Sequence, residues 1–318
     1  MRRLGLIFGS LAALLILSAG RVAPRPFDGF DEGVIPEALI QIARDVRHLP
    51  VGERMDHISR PLIGRPYLVD AIGEGQAPDI DPPARYDVFD CMTFIEEVMA
   101  LAMAPDPRSA PLIRRHLRYT DGVQRYDKRR HFMLQQWIPE NLASGWLKDI
   151  TAEYGETHLL HKRVTPQTWS SWRRRRLFDL PDAALPRGDY TLPVISLDAA
   201  QAAAEDLPVG AIIVTVRRAV AHKPIVVTHV GFKVASDDVP RVRHATKLSD
   251  DIVRDDRLIW YFDHIRWYDW WEVEGVSILM PQEIGPRAIR PRAVEPHVDV
   301  RPASADSSDP DQSPLSSQ

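Results

Sequence analysis

One cysteine in 318 residues, Cys91, sits in the string Phe89-Asp90-Cys91-Met92-Thr93-Phe94-Ile95-Glu96-Glu97. Asp90 is a good helix N-cap, and the apolar residues Phe94, Ile95, Val98, Leu101 and Ala102 follow at helical spacing. The pattern predicts a helix that opens at Cys91. In its first turn the unsatisfied N–H groups and the positive end of the helix dipole favour a thiolate. A low-pKa thiol there is a nucleophile for acyl transfer. A lone Cys beside Met and Phe is also the pattern of inert core packing.

Two histidines supply what such a nucleophile needs. Thr228, Val230, Phe232 and Val234 alternate onto one mostly apolar strand face, and Val227, His229, Gly231 and Lys233 onto the other. His229 thereby leaves the core-packing face, and Gly231 is expected to keep the neighbouring surface open. Arg243-His244-Ala245-Thr246 falls on the next strand. In a meander, the two imidazoles can lie side by side: one a base for the thiol proton, the other a polar group that holds the base in its working tautomer.

The elements that must position these groups change character along the chain. Residues 35–46 have helical spacing, ended by His48-Leu49-Pro50. Residues 51–90, rich in Gly and Pro, read as a long ordered loop, and a helix-rich middle runs to about residue 180. Within it, Arg173-Arg174-Arg175-Arg176 reads as a solvated helix face. Beyond Leu207-Pro208-Val209-Gly210, β-branched runs at 211–216, 225–234, 241–246 and 276–280 predict strands. Helices first and strands afterwards imply an α+β fold with an antiparallel sheet.

Composition narrows the function classes. Residues 1–20 read as a secretion signal: Arg2 and Arg3, an apolar stretch at 4–17, then Ser18-Ala19-Gly20. The expectation is export, with periplasmic residence and an uncleaved anchor as the variant, and with no lipid-modified cysteine. Losing that segment removes two arginines and no acid, moving the formal charge from −4 to −6. Nothing there suggests a nucleic-acid partner. A single Cys cannot form an internal disulfide, so an exported chain carries it as a buried passenger or as a reactive thiol. No Gly-Lys pair occurs, so there is no Walker A phosphate loop. Domain bounds follow: signal 1–20, helical lead-in 21–50, catalytic domain 51–282, and a disordered Pro/Asp/Ser tail at 283–318.

Asp90-Cys91, Thr228-His229-Val230-Gly231-Phe232 and His244-Ala245 together resemble the three signature elements of the NlpC/P60 cysteine-peptidase superfamily. The resemblance implies a papain-like core, with the Cys helix packed on an antiparallel sheet and extra helices around it. It also implies the catalytic order Cys91, His229, His244. Ile63-Gly64-Arg65-Pro66-Tyr67 resembles the upstream Gly-x-Pro-Tyr element and would bring Tyr67 near the nucleophile. Further blocks, among them Cys91-Met92-Thr93, Arg130-His131-Phe132 leading to Trp137 and Asn141, Asp149-Ile150-Thr151 and Gly275-Val276, are similar to the DUF1460 branch, described as N-acetylmuramoyl-L-alanine amidase-like. Tyr67, Thr93, Arg130 and His131 become candidates for oxyanion or substrate contacts. The implied substrates are peptidoglycan fragments, cut at the amide between N-acetylmuramic acid and L-alanine, with no cofactor and no metal. Three alternatives stay open: an endopeptidase cutting within the stem peptide, a degenerate wall-binding module, and a metal hydrolase using His158 and His161 at helical i, i+3 spacing. Trp267, Trp270 and Trp271 could stack on sugars or pack a lid.

Overall fold

The computed structural model describes residues 33–283 other than Ser249 and Asp269. The signal expected at 1–20 and the tail expected at 283–318, Glu283 apart, lie outside the described residues. Two short helices lead in: α1 (Glu37–Asp45) and α2 (Val51–Ser59). The second occupies ground that the turn formers assigned to a loop. Gly52 sits in it for close approach, since a Cβ there would stand 2.0 Å from the Val209 carbonyl oxygen.

The central helix, α3 (Cys91–Met103), starts where the sequence places it. Asp90 accepts from the Thr93 N–H at 2.7 Å while the Thr93 hydroxyl accepts from the Asp90 N–H at 2.9 Å, a reciprocal capping box. Thr93 through Met103 are all buried, so α3 is apolar on nearly every face, the signature of a helix inside a core. Its two buried acids need partners. Glu96 takes Arg118 Nε at 2.6 Å and Trp137 Nε1 at 3.0 Å; Glu97 takes Arg114 at 3.0 Å, Arg118 at 3.1 Å and Tyr86 Oη at 2.9 Å. Both arginines lie on α4 (Ala110–Arg118), so the ion-pair network bolts α3 to its neighbour. Next come α5 (Ile138–Ala143) and a short strand β1 (Leu147–Asp149).

The middle of the chain is less helical than its composition predicts. A long hairpin, β2 (Thr157–Val164) and β3 (Gly188–Ile195), brackets α6 (Pro166–Ser171) and a five-residue 3₁₀ turn, Arg173–Leu177, with three of its four arginines exposed. His158 and His161 therefore lie on a strand, where i and i+3 face opposite sides. The helical pair that the metal-hydrolase alternative requires does not form.

After α7 (Leu197–Ala202) come β4 (Ile212–Arg217), β5 (Val227–Val234), β6 (Arg241–Thr246) and β7 (Ile252–Arg257). The described chain closes with α8 (Leu258–Arg266) and β8 (Val273–Pro281). All pairings are antiparallel, in the order β2-β3-β8-β4-β5-β6-β7, with β1 added on β8. The fold is thus mixed α+β, an antiparallel sheet with helices on both faces. Val214, Val230, Phe232 and Val234 join α3 in one core; Ile213, Val242 and Ile278 join α7 and α8 in the other.

β5 and β6 pair at three positions only, from Phe232–Arg243 to Val234–Arg241. Beyond Phe232 the ladder stops, and α3 packs across both strands. Arg118→Met would leave Glu96 and Glu97 buried without their shared cation. We expect a loss of about 3–5 kcal/mol, read from the urea midpoint; an unchanged midpoint would mean the network does not hold α3.

Candidate active site

Where the β5–β6 ladder ends, the backbone N–H of Val230 is free of β6 and directed at the sulfur of Cys91, as are the N–H groups of Cys91 and Met92. The thiol is half-buried, and it meets β5 one residue from His229. The His229 Nε2 lies 2.7 Å from His244 Nδ1, and His244 Nε2 lies 3.0 Å from Asp256 Oδ2. Asp256 is held in turn by Arg254 Nε at 2.8 Å. Burial pushes the Asp256 carboxyl up, but the hydrogen bond from His244 and the neighbouring charges outweigh it and hold the group below the usual carboxylate range.

An ionised Asp256 fixes the protons along this line. The carboxylate can only accept, so His244 donates from Nε2, and in a neutral His244 the Nδ1 is then an acceptor. His229 must then donate from Nε2, which leaves Nδ1 with its lone pair free. The base is thereby set in one tautomer. Asp256 escaped the sequence reading because Arg254-Asp255-Asp256-Arg257 is a charged run with no β-branched residue to mark a strand. The available signal was alternation: Val253 is buried against the α3 core while Asp256 lies at 4% exposure beside His244.

Gly231 does not keep open space, as expected of it, but allows contact. A Cβ there would stand 2.9 Å from the Cβ of His244 and 2.7 Å from a methyl of Val242. The missing side chain is what lets β6 bring His244 up to His229. The Tyr261 ring closes the far side, 6.1 Å from His229 and 5.4 Å from His244.

The electrostatics overturn the low-pKa expectation for the thiol. Burial, then the charge of Asp90, outweighs the three N–H groups and pushes Cys91 up to about 12. Asp90 does cap the helix, but capping does not hide its charge from the sulfur. His229 moves the opposite way, well below the ordinary imidazole value, through burial, then His244, then Arg217. Both shifts favour a neutral thiol beside a neutral imidazole.

Tyr67 joins this group. Its segment lies alongside Phe89, the residue before Asp90-Cys91, through Leu68 N–H to Phe89 O at 2.9 Å and Phe89 N–H to Pro66 O at 3.0 Å. Burial, then Cys91, then Asp90 pushes the Tyr67 hydroxyl up, so it remains a neutral donor. Thr93 has its hydroxyl engaged in the capping box. Arg130 and His131 have their polar atoms engaged elsewhere. Arg130 reaches Glu140 at 2.8 Å and the carbonyls of His116 and Leu117 at 2.7 and 2.9 Å, capping the end of α4. His131 Nε2 lies 2.7 Å from the Tyr126 carbonyl oxygen, its ring packs edge-on to Tyr126 and Phe178, and burial takes it down to about 4. Trp137, in the block that follows them, is 1% exposed and hydrogen-bonded to Glu96. In the aromatic stretch, Trp267 and Trp270 are exposed, whereas Trp271 is buried and donates to the Arg218 carbonyl oxygen. The Arg217 guanidinium lies over Tyr268 and Trp270 at 4.6 and 5.4 Å and donates to Thr228, tying that stretch to the residue before His229.

A sulfur, an imidazole with a fixed tautomer and inward-pointing N–H groups form the kind of centre that cleaves amides. Residues 57–266 match the model of the AmiA-like family, described as N-acetylmuramoyl-L-alanine amidase-like, and the chain belongs to that family. No curated protein sequence matches. Among solved structures, a Legionella pneumophila protein of the DUF1460 family is similar, with TM-score 0.67 and 23% identity over 77% of this chain and 93% of that one. An N-acetylmuramoyl-L-alanine amidase from Bacteroides uniformis follows, with TM-score 0.56 and 18% identity over 73% and 99% of the two chains. A Bacteroides fragilis protein provisionally assigned as a xylanase has TM-score 0.55 and 19% identity over 69% and 97%. At these identities the likeness is one of fold, and fold alone does not select a reaction. The family match supports a peptidoglycan amidase-like hydrolase.

A protonated resting thiol has a direct readout. Alkylation of Cys91 by iodoacetamide should be slow at pH 7 and rise about tenfold per pH unit, since the thiolate is the reacting form. A rate that levels off by neutral pH would show a preformed thiolate.

Proposed function

We propose that this protein is an exported cysteine amidohydrolase of the NlpC/P60 superfamily, with a papain-like core over residues 51–282 that cleaves the amide between N-acetylmuramic acid and L-alanine in peptidoglycan fragments. The observation that carries the reading is the line from His229 through His244 to Asp256, with Cys91 meeting the same strand at the neighbouring Val230 N–H.

In this mechanism His229 Nδ1 takes the thiol proton as the sulfur attacks the carbonyl carbon. The sulfur–carbon bond forms while the carbonyl π electrons move onto oxygen. The tetrahedral intermediate collapses with the proton passing from His229 to the leaving amine of L-alanine, and water then cleaves the thioester with His229 again as base. The Cys91 N–H at the helix start is the natural oxyanion donor, and the Tyr67 hydroxyl, a neutral donor near Cys91, is the candidate second one. One such donor is worth about 3–4 kcal/mol in the transition state. His244 and Asp256 position the base and act through it.

The endopeptidase reading uses the same thiol and base on a different bond, so product analysis separates the two. Mass spectrometry of purified muropeptides after incubation should give a free sugar plus an intact stem peptide. A shortened stem would replace the amidase with the endopeptidase. Cys91→Ala should abolish turnover in a folded protein, and full activity there would remove the nucleophile. His229→Ala should cost roughly 10²–10⁴-fold in kcat, the usual worth of a general base. Asp256→Asn should lower kcat while leaving KM nearly unchanged, because it disturbs the tautomer and not the substrate.

The pH profile follows from His229. A base is active when unprotonated, and this one sits below the ordinary 6.5. The acid limb of kcat/KM should therefore fall below pH 6.5; a limb at 7 or above would contradict a buried neutral base.

A further inference from the structure

Outside the cysteine cleft, an open cavity of about 700 Å³ lies between β2, α6 and the loop joining β4 to β5. Its lining includes Lys162, His161, His222, Thr165 and Ser171, and no acidic residue. Leu160, Lys162 and Val164 alternate onto the inward face of β2, and all three are buried. A lysine thus occupies a core-facing strand position at 3% exposure.

Burying an ammonium is unfavourable unless a counter-charge comes with it. Buried cations in this chain are accommodated in two ways: Arg118 faces Glu96 and Glu97 and Arg243 faces Asp56 and Asp255, while Lys233 donates to two carbonyl oxygens and Arg217 to the Thr228 hydroxyl and the Trp271 carbonyl oxygen. Lys162 has no carboxylate partner among the described residues. Its Nζ donates once, to the Val220 carbonyl oxygen at 2.7 Å. Burial lowers its pKa, and no neighbouring carboxylate raises it back. Two of its three N–H groups remain for an acceptor, and the cavity is where one can sit.

We propose that this cavity is an anion-binding site in which Lys162 takes a carboxylate or phosphate group. Two sources share that chemistry. One is free phosphate; the other is a carboxylate of the peptide stem attached to the amide being cut. The loop forming one wall, residues 219–222, leads into β5, the strand that carries His229. The site stands without the amidase reading; only the stem as its source rests on that reading.

Calorimetric titration of the full chain with inorganic phosphate, and separately with an acetylated acidic tripeptide, tests the site at low ionic strength. Saturable binding of at least one probe is expected, unchanged in Cys91→Ala. Lys162→Met should weaken it about tenfold or more, the share of a charge-assisted hydrogen bond, and Lys162→Arg should retain it. Should Lys162→Met fail to fold, the exposed Ala221→Glu, which brings an acid into the lining, should weaken binding comparably. A raised muropeptide KM at constant kcat in these variants would identify the stem as the source; an unchanged KM with phosphate binding lost would identify the free anion. No saturable binding of either probe, or binding indifferent to both Lys162→Met and Ala221→Glu, would overturn the proposal.

Discussion

Termination of the β5–β6 ladder after Phe232 is the constraint on which the rest depends. A strand pair that stays closed uses its N–H groups on its neighbour. Here the pairing stops one turn of pleat before His229, so Val230 has an N–H for the sulfur and α3 has a seam to enter. The opening is stable because two other things hold. Gly231 lets β6 lie close without a clash. The Glu96/Glu97 network anchors α3 to α4, so the helix cannot slide along the gap. Sheet irregularities of this kind are common next to active sites, where they aim a side chain that a regular ladder would bury.

Electrostatics and geometry then act in the same direction. Each group in the line from Asp256 to His229 has one role fixed by the group before it, with the carboxylate as the origin. His244, at 0% exposure, cannot turn to find another partner. Preorganisation of this sort matters because the dipoles are already aimed when charge develops. Under the proposed mechanism, a neutral resting pair makes charge separation coincide with attack, when the N–H groups would have an oxyanion to meet.

Much of this was legible in the chain, and the exceptions have physical causes. The start of α3 was readable to the residue because capping is a local, three-residue interaction. β4, β5, β6 and β8 were readable because β-branched runs survive in any context. Strand β7 was not, since its charged residues are paired across strands: Arg243 with Asp255, His244 with Asp256. The β2–β3 hairpin was hidden for a related reason. Thr157–Val164 carries His, Lys and Arg, and its strand character comes from pairing with β3 along eight residues. α2 was obscured by Gly52, whose reason is a neighbour 157 residues away. Arg130 and His131 looked chemical in sequence because charge and imidazole are the alphabet of active sites; in space they are a helix cap and a packed ring.

The protonated state of Cys91 also bears on survival of the molecule. Peroxides and foreign disulfides react with thiolates, and the slide from sulfenic to sulfonic acid begins there. A thiol that burial and Asp90 keep protonated enters that ladder more slowly than a thiolate would, and this chain has no second cysteine to rescue it. Asp90, which lifts the thiol's pKa while starting the helix, is then a chemical preservative as well as an architectural residue.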